Sequence, residues 1–258
     1  MKGGARSLTL TALPDVPEVL PGSDLAVHLA AALERAGLVL RAHDVLVVAQ
    51  KIVSKAEGRY VALAGIAPQA RALELAALTG KDPRLIELVL AESTEVLRAK
   101  RDVLIVRHRL GFVMANAGID RSNLDASAGG ERVLLLPEDP DRSAATLREA
   151  LGKRFGVAPG IIISDSFGRA WRRGVINIAL GAAGFAALVN RRGERDRAGR
   201  PLEVTEVALA DALAAAAGLL MGEAGEGLPA VLIRGLELNA APNAARTLIR
   251  PLDEDLFR

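Results

Sequence analysis

The stretch that decides the fold is residues 161–180, IIISDSFGRAWRRGVINIAL. Its three isoleucines predict a short buried strand. Three side chains that carry oxygen follow the isoleucines directly, namely Ser164, Asp165 and Ser166. Beyond them the chain becomes basic and then apolar again. We therefore expect a strand that ends in a polar segment, with a basic loop behind it.

The basic part of this stretch has three arginines around the only tryptophan of the chain, Trp171; they are Arg169, Arg172 and Arg173. Open sheets bind ligands just beyond the carboxyl ends of their strands. Carboxylate and hydroxyl oxygens can hold a hard cation, and guanidinium groups hold phosphate or carboxylate groups in a fork geometry. The pattern favours a site for a metal, a phosphate and an acidic substrate. The alternative is a solvated Asp/Ser turn followed by a basic surface loop.

Composition limits the classes of protein that the chain can be. Its 258 residues suffice for a sizeable core, and because half of them are hydrophobic the chain is not disordered. Aromatic residues make up only 3%, which argues against a binder of single-stranded nucleic acid, since such proteins stack bases on aromatic rings. The absence of cysteine excludes disulfides, thiolate zinc sites and cysteine nucleophiles.

The sequence also bears on location and domain organisation. The N-terminal segment lacks the apolar core of a signal peptide, and no apolar run is long enough to cross a membrane. We therefore expect a cytoplasmic protein that binds neither a membrane nor nucleic acid. No internal repeat or interdomain linker is recognisable, so residues 1–258 are expected to form a single unit.

Hydrophobic periodicity and turn residues divide the rest of the chain into strands and helices. Strands are predicted at residues 7–12, 44–49, 95–98, 103–106, 111–115, 133–136 and 230–234. Helices are predicted at residues 67–79, 83–92 and 205–220. Two more helices are predicted from their caps, one from Ser23 or Asp24 to Gly37 and one from Ser143 to about Phe155. The charged segment 190–201 is typical of a hairpin tip or a flexible loop.

Two further predicted strands end in polar segments. Strand 44–49 leads into residues 50–59, QKIVSKAEGR, which resemble a phosphate-binding loop in outline although the Walker A spacing is absent. Strand 111–115 leads into a segment in which Asp120 and Asn123 can point at one ligand. The alternatives are exposed lysines on a turn and an Asx turn. His108 lies near the second segment, and a structural role is its alternative to direct chemistry.

A fourth polar segment, residues 221–227 with the sequence MGEAGEG, follows the alanine-rich helix 205–220. Glycine permits close approach of the main chain to a ligand, so this loop suits a nucleotide or metal contact. The alternative is a glycine helix stop with two solvated glutamates.

Taken together, the four segments resemble the coenzyme F-420:L-glutamate ligase family, also called F-420-0:gamma-glutamyl ligase. The motifs that carry the resemblance are QKIVSKAEGR, ANAGIDRSN, SDSFGRAWRRG and MGEAGEG, in that order and approximate spacing. The resemblance runs from Leu13 to Gly235. Two positions depart from the family pattern: Ala170 stands where the family usually has proline, and Glu223 where some relatives have an amide.

The resemblance implies an acid–amino-acid ligase that uses GTP. Such an enzyme joins the amine of L-glutamate to a carboxylate of the phospholactyl-deazaflavin F-420-0 through an acyl phosphate, and can then add a second glutamate by a gamma-linkage. It also implies a pair of divalent cations, Mg²⁺ or Mn²⁺, with K⁺ as an additional ion. The protein's share of such chemistry is mostly positioning and charge neutralisation.

Residue roles follow from the same resemblance. The implied metal ligands are Asp120, Asp165, Ser166 and Glu223. The implied surroundings of GTP are Leu13, Pro14, Asp15, Val16, Gln50, Lys55, Asn123, Met221, Gly222, Glu223, Ala224, Gly225, Glu226, Gly227 and Leu228. We assign Lys55, Arg169 and Arg172 to catalysis, and one of Arg169, Arg172 and Arg173 to the acidic deazaflavin or glutamate.

The fold implied by the resemblance is α+β, with mixed sheets and flanking helices in a two-lobed unit that pairs into an intertwined homodimer. Two other functions stay open at this point. One is a nucleotide- or deazaflavin-binding protein without ligase activity, and the other is a ligase of the same fold that uses another acidic acceptor. Metal-dependent GTP hydrolysis that requires both glutamate and a deazaflavin would separate them.

Overall fold

The computed structural model describes residues 6–121 and 131–255. The strands are β1 (Thr9–Ala12), β2 (Val45–Ala49), β3 (Tyr60–Ala62), β4 (Ser93–Lys100), β5 (Val103–His108), β6 (Val113–Ala115), β7 (Arg132–Leu134), β8 (Gly160–Arg169), β9 (Arg172–Ala183), β10 (Leu188–Asn190), β11 (Glu206–Ala208) and β12 (Ala230–Arg234). The α-helices are α1 (Leu25–Arg35), α2 (Gln50–Ala56), α3 (Ala70–Thr79), α4 (Pro83–Ala91), α5 (Pro140–Phe155) and α6 (Leu209–Met221).

A five-stranded sheet in the order β1-β12-β2-β8-β9 is the centre of the fold. Strands β2 and β8 are parallel, and the other neighbours are antiparallel. Side chains of a strand alternate between the two faces, so a strand covered on both faces is apolar throughout, as β2 is. Leu46 and Val48 pack with α1 and α5 on one face, and Val45 and Val47 pack with α6 on the other.

A second hydrophobic core lies outside this sheet. Helices α3 and α4 pack on the three-stranded sheet β4-β5-β6 and on the pair β3-β7. A small cluster joins the two parts, in which the rings of Phe112 and Phe167 meet edge to face with centroids 5.9 Å apart. The α+β fold class with mixed sheets and flanking helices is therefore confirmed. Within the described ranges, no helix combines the length and apolar character needed to cross a bilayer.

Several predicted boundaries need correction. The loop expected at residues 50–59 is mostly helix α2, since no glycine or proline interrupts the chain before Gly58, whose φ of +68° ends the turn that follows. Helix α5 is capped by Asp139, not by Ser143, because Pro140 suits the first helical position and Asp139 accepts a hydrogen bond from the Arg142 amide. Of the two proposed caps for α1, Asp24 is the one whose side chain accepts a hydrogen bond from the Val27 amide.

Residues 161–180 form most of a long hairpin and not a short strand followed by a loop. Strand β8 continues through Ser164–Ser166 to Arg169, because β9 pairs with it along this length, with irregularities between Ile163 and Ser164 and between Gly168 and Arg169. The turn consists of Ala170 and Trp171. The predicted helix 205–220 begins later than expected, at Leu209, because residues 206–208 pair with β10. The hairpin tip expected at residues 190–201 is confirmed by this pairing of β10 and β11.

Candidate active site

Four chain segments meet at one end of the five-stranded sheet. The Leu13 amide donates to the carbonyl of Ala230, and the Ala49 amide donates to the carbonyl of Pro229, each at 2.8 Å. Ala49 also lies opposite Ser164 in the parallel pair of β2 and β8. The segment after β1, the loop before β12, the start of α2 and the middle of β8 therefore lie side by side. The sequence-based expectation that polar segments meet at strand ends holds for this edge.

Three carboxylates interact at this edge: Asp165 on β8, Asp120 after the 3-10 turn Asn116–Gly118, and Glu223 after α6. Burial first of all, and then the negative charges of Asp120 and Glu223, raise the pKa of Asp165 from its usual 3.8 to about 7. The Ser166 amide and the Lys51 ammonium oppose that rise. Carboxylates held this close repel each other, so a cation between them would be favoured.

Lys51 is a site residue that sequence reasoning missed. Its Nζ lies 2.7 Å from Asp120 Oδ2, and both side chains are about three-quarters buried, with 26% and 21% exposed. Lys51 and Lys55 are four residues apart in α2 and therefore share one face of that helix. Lys55 Nζ lies 3.9 Å from Glu18 Oε1. The spacing of four residues between Lys51 and Lys55 could have identified Lys51, but this spacing places both lysines on one face only if the segment is helical.

The two serines beside Asp165 point away from it. Successive side chains of a strand project from opposite faces, and Ser164 Oγ lies 4.0 Å from Met221 Sδ on the α6 side. Ser166 lies opposite Asn177, whose Nδ2 is 3.8 Å from the same sulfur. A metal contact from the Ser166 hydroxyl, expected from the resemblance, therefore stays a prediction, and the strand alternation works against it.

The donor set at this edge fits a hard divalent cation. Carboxylate oxygens are the ligands that Mg²⁺ and Mn²⁺ prefer. The pKa of Asp165 is raised by burial and, to a smaller extent, by the negative charges of Asp120 and Glu223. Within residues 6–121 and 131–255, no three His, Asp or Glu side chains are close enough to form a ready-made metal-binding group. The carboxylates thus interact electrostatically but are not close enough together to coordinate one ion as they stand.

The arginines lie apart from the carboxylates. Arg169 and Arg172 face each other at the tip of the β8–β9 hairpin, and Arg173 follows them; all three are exposed. Arg169 Nη2 approaches the carbonyl of Arg173 at 3.5 Å. The strand between Asp165 and Arg169 is extended, so their Cα atoms are about 13 Å apart. The structure therefore does not bring the predicted catalytic arginines to the carboxylates.

Comparison with known proteins gives the same family as the motifs. The family model for F-420-0:gamma-glutamyl ligase matches residues 15–235. The chain belongs to this family. The coenzyme F-420:L-glutamate ligase of Methanopyrus kandleri is 46% identical over 260 residues, which cover 99% of this chain and 100% of the relative. The ligases of the same name from Methanothermobacter thermautotrophicus and Methanocaldococcus jannaschii are 44% and 43% identical, over 97% and 83% of this chain and 99% and 84% of the relatives.

The nucleotide residues implied by the family surround the same sheet edge. The Leu13 side chain is fully buried in the core, so only its main chain can meet a ligand, whereas Pro14 and Asp15 are exposed. Gln50 is buried, and its Oε1 accepts a 2.9 Å hydrogen bond from the Ser54 hydroxyl, which leaves the amide group to donate elsewhere. Asn123 lies outside the described residues.

The loop 221–228 of this ligase-family chain contains a backbone conformation that few residues other than glycine can adopt. Gly222 has φ 71° and ψ −178°, a combination open almost only to glycine. A Cβ atom at Gly222 would lie 2.1 Å from the Glu226 carboxyl carbon. Glu226 Oε2 in turn accepts a hydrogen bond from the Ala224 amide at 2.9 Å. The Glu226 carboxylate thus stabilises the conformation of the loop. Glu223 is exposed and interacts with the other carboxylates.

His108, considered for direct chemistry, belongs to a buried structural network. Its Nδ1 accepts a hydrogen bond from the Leu110 amide, and its Nε2 lies 3.4 Å from Glu92 Oε2. Arg109 and Arg59 also contact that oxygen, at 3.1 and 3.3 Å. These cations and the imidazole, His108 foremost, lower the pKa of Glu92 to about 2 against the effect of burial.

Proposed function

We propose that this chain uses GTP to join L-glutamate to coenzyme F-420-0, and that it then joins the amine of a further glutamate to the gamma-carboxylate of the first, as a step in coenzyme F-420 biosynthesis. The observation that carries the proposal is the group of Asp120, Asp165 and Glu223 beside Lys51 at the sheet edge, with Lys55 on the same face of α2 as Lys51. The printed names of the relatives support the choice of glutamate and F-420 as substrates.

The proposed reaction has two steps. An oxygen of the F-420-0 carboxylate attacks the γ-phosphorus of GTP, and the bond to the β-phosphate oxygen breaks, which gives an acyl phosphate and GDP. The glutamate amine then attacks the acyl carbon, a C–N bond forms, and phosphate leaves as the amine loses a proton to solvent. Activation is needed because a carboxylate is itself a poor electrophile.

The side chains of the edge have separate tasks in this scheme. Asp120, Asp165 and Glu223 would hold divalent cations, which supply charge neutralisation at the phosphates when bound. Lys55 is a point charge suited to a phosphate oxygen, and Lys51 keeps Asp120 in place through their ion pair. The glycine loop lets main-chain amides approach the nucleotide closely. Each of these groups acts by position and charge and not as a nucleophile.

The working unit proposed here is a homodimer. Large apolar side chains on three separate elements are exposed in the single chain: Val175 is 52%, Val204 79% and Leu219 84% exposed. Single exposed apolar side chains are also common on monomers, so the proposal rests on the intertwined homodimer that the family resemblance implies. A monomer mass by light scattering at micromolar concentration would contradict this part of the proposal.

Incubation with F-420-0, GTP, glutamate and either Mg²⁺ or Mn²⁺, followed by mass spectrometry, tests the function. The expected product is heavier by one glutamyl residue, with GDP and phosphate formed in equal amounts. Omission of glutamate or F-420-0 should stop GDP formation, which separates a ligase from a GTP-binding protein. Folded protein that adds no glutamate with any divalent metal would refute the proposal.

A further inference from the structure

We propose that Trp171, at the tip of the β8–β9 hairpin, is a stacking surface for the planar deazaflavin ring of the acceptor. The inference rests on the proposed function, because it takes its ligand from that reaction. It extends the site from the carboxylates at the sheet edge to the indole at the end of the hairpin.

The backbone of Trp171 is the first observation. Its φ is +66°, in the left-handed region that bulky residues avoid. Arg169 and Arg172 pair across the turn, so Ala170 and Trp171 are its two central residues, and only the second has a positive φ. Turns of this pattern favour glycine at the second position. A tryptophan there costs about 1–3 kcal/mol relative to an unstrained backbone, which points to a use for the indole.

The exposure of the indole is the second observation. Trp171 is 90% exposed, although tryptophan has one of the largest apolar surfaces of any side chain. In the described part of the chain, the ring contacts involve other residues, the Phe112–Phe167 pair and Arg154 with Phe155. The indole therefore presents its face to whatever approaches the tip of the hairpin.

The charges around the indole define the ligand. Arg169, Arg172 and Arg173 flank it, and within the described ranges none of them has a carboxylate at ion-pair distance. An aromatic face among uncommitted guanidinium groups suits a ligand that is both planar and anionic. The proposed acceptor combines these features, since it carries a deazaflavin ring and a phosphodiester-linked acid.

The hairpin also sets the distance between its tip and the carboxylates at the sheet edge. Asp165 and Arg169 are on the same extended strand, about 13 Å apart from Cα to Cα. An acceptor with its ring on Trp171 and its chain along β8 would bring its carboxylate toward Asp165, where the nucleotide is proposed to bind. The arginines at the tip would then contact the acceptor, which explains why they lie away from the carboxylates.

Because Trp171 is the only tryptophan, indole emission reports on this position alone. Titration of the full-length protein with F-420-0 should quench that emission, and titration with GTP and Mg²⁺ should not. Since energy transfer can quench an indole without contact, steady-state kinetics decides the matter. The KM for F-420-0 should rise about tenfold in Trp171→Gly, as expected for the loss of one stacked ring, with little change in the KM for GTP.

Two further variants make the result specific. Trp171→Phe keeps a ring and should recover most of the affinity for F-420-0. Val39→Ala, which shortens an exposed apolar side chain that has no proposed role in the site or in the dimer, should behave as wild type. Trp171→Gly should also melt no lower than wild type, because glycine relieves the positive φ.

The outcomes separate this inference from the proposed function. If the wild type makes no glutamylated product, the proposed function fails and the inference falls with it. If the wild type is active and Trp171→Gly has an unchanged KM for F-420-0, the stacking role alone is overturned. It is also overturned if Trp171→Gly raises the KM of GTP and F-420-0 alike while a dimer dissociates, since the indole would then be a contact between subunits.

Discussion

At the scale of single residues, the site depends on a carboxylate in a place that does not favour charge. Asp165 lies in the middle of a strand, is largely enclosed by protein, and has two acidic neighbours, and its pKa is raised to about 7 for these reasons. Sequence reasoning singled out Asp165 as a candidate but expected an exposed loop carboxylate. The difference matters for mutagenesis, because a largely buried charge affects stability as well as activity.

Replacement of Asp165 by Asn should abolish most turnover and yet stabilise the metal-free protein at alkaline pH. The folded-state pKa is raised, so the stability linked to Asp165 is present at low pH and is lost as the pH rises through about 7. Denaturant unfolding in EDTA should give Asp165→Asn an advantage of up to about 4 kcal/mol at roughly pH 9, which fades toward pH 5. Glu203→Gln, an exposed substitution on the β10–β11 hairpin, serves as the control. If the free energy of unfolding depends on pH equally in wild type and Asp165→Asn, the pKa of this carboxyl is not raised in the folded protein.

Lys55 and Arg172 should affect different substrates. Lys55 lies on α2 at the sheet edge, and Arg172 lies at the hairpin tip. Lys55→Ala should raise the KM for GTP, because a point charge at a phosphate is lost, while Arg172→Ala should raise mainly the KM for F-420-0 or glutamate. Initial rates with each substrate varied in turn provide the measurement. If both variants shift the KM of the same substrate, this division of roles is wrong.

At the scale of elements, the sequence predicted apolar segments better than polar ones. The runs that became β2 and β12 were located almost to the residue, since burial on both faces demands continuous apolar side chains. Segments 50–59 and 164–169 were expected to be loops because they are polar. Strand β9 supplies the hydrogen-bonding partner for the second segment, and no local pattern shows a partner that comes later in the chain.

The loop after α6 should depend on one glycine and tolerate the loss of another. Gly222→Ala places a methyl group against the Glu226 carboxylate and in a backbone region closed to alanine. We expect a loss of about 1–3 kcal/mol in the free energy of unfolding and a higher KM for GTP. Gly225→Ala is the matched control, because it has no positive φ and nothing within 4 Å of the added methyl. Equal effects of the two substitutions on stability and on KM would contradict the close packing of this loop.

At the scale of the whole molecule, the site lies where two hydrophobic cores meet. Asp165 comes from the five-stranded sheet, and Asp120 follows the turn that packs with α4 in the second core. The sequence predicted the α+β class and the meeting of polar segments. It could not predict that the second core brings Asp120 close to Asp165, because that depends on packing between residues distant in the chain. The expected two lobes and the dimer stay predictions.

Glu92 should stabilise the contact between the second core and the rest of the fold, and its contribution to the free energy of unfolding should depend on pH. Its carboxylate contacts His108, Arg109 and Arg59, and its pKa is lowered from 4.5 to about 2. A lowered folded-state pKa gives stability that is present above the usual glutamate pKa and is lost as the pH falls toward 2. Glu92→Gln should therefore cost up to about 3 kcal/mol at neutral pH and less in acid, as measured by urea unfolding. Glu74→Gln, in an exposed pair with Arg71, is the control, and an equally small effect of both would refute the role of this network.

We propose that this ligase activates the acceptor carboxylate by phosphorylation. F-420-0 labelled in that carboxylate with a heavy oxygen isotope tests the claim, since the acyl-phosphate route moves one carboxylate oxygen into the released phosphate. The claim predicts that each glutamyl product is accompanied by one GDP and by one phosphate that carries a single heavy oxygen. Phosphate without the label, or GMP and pyrophosphate in place of GDP, would contradict it.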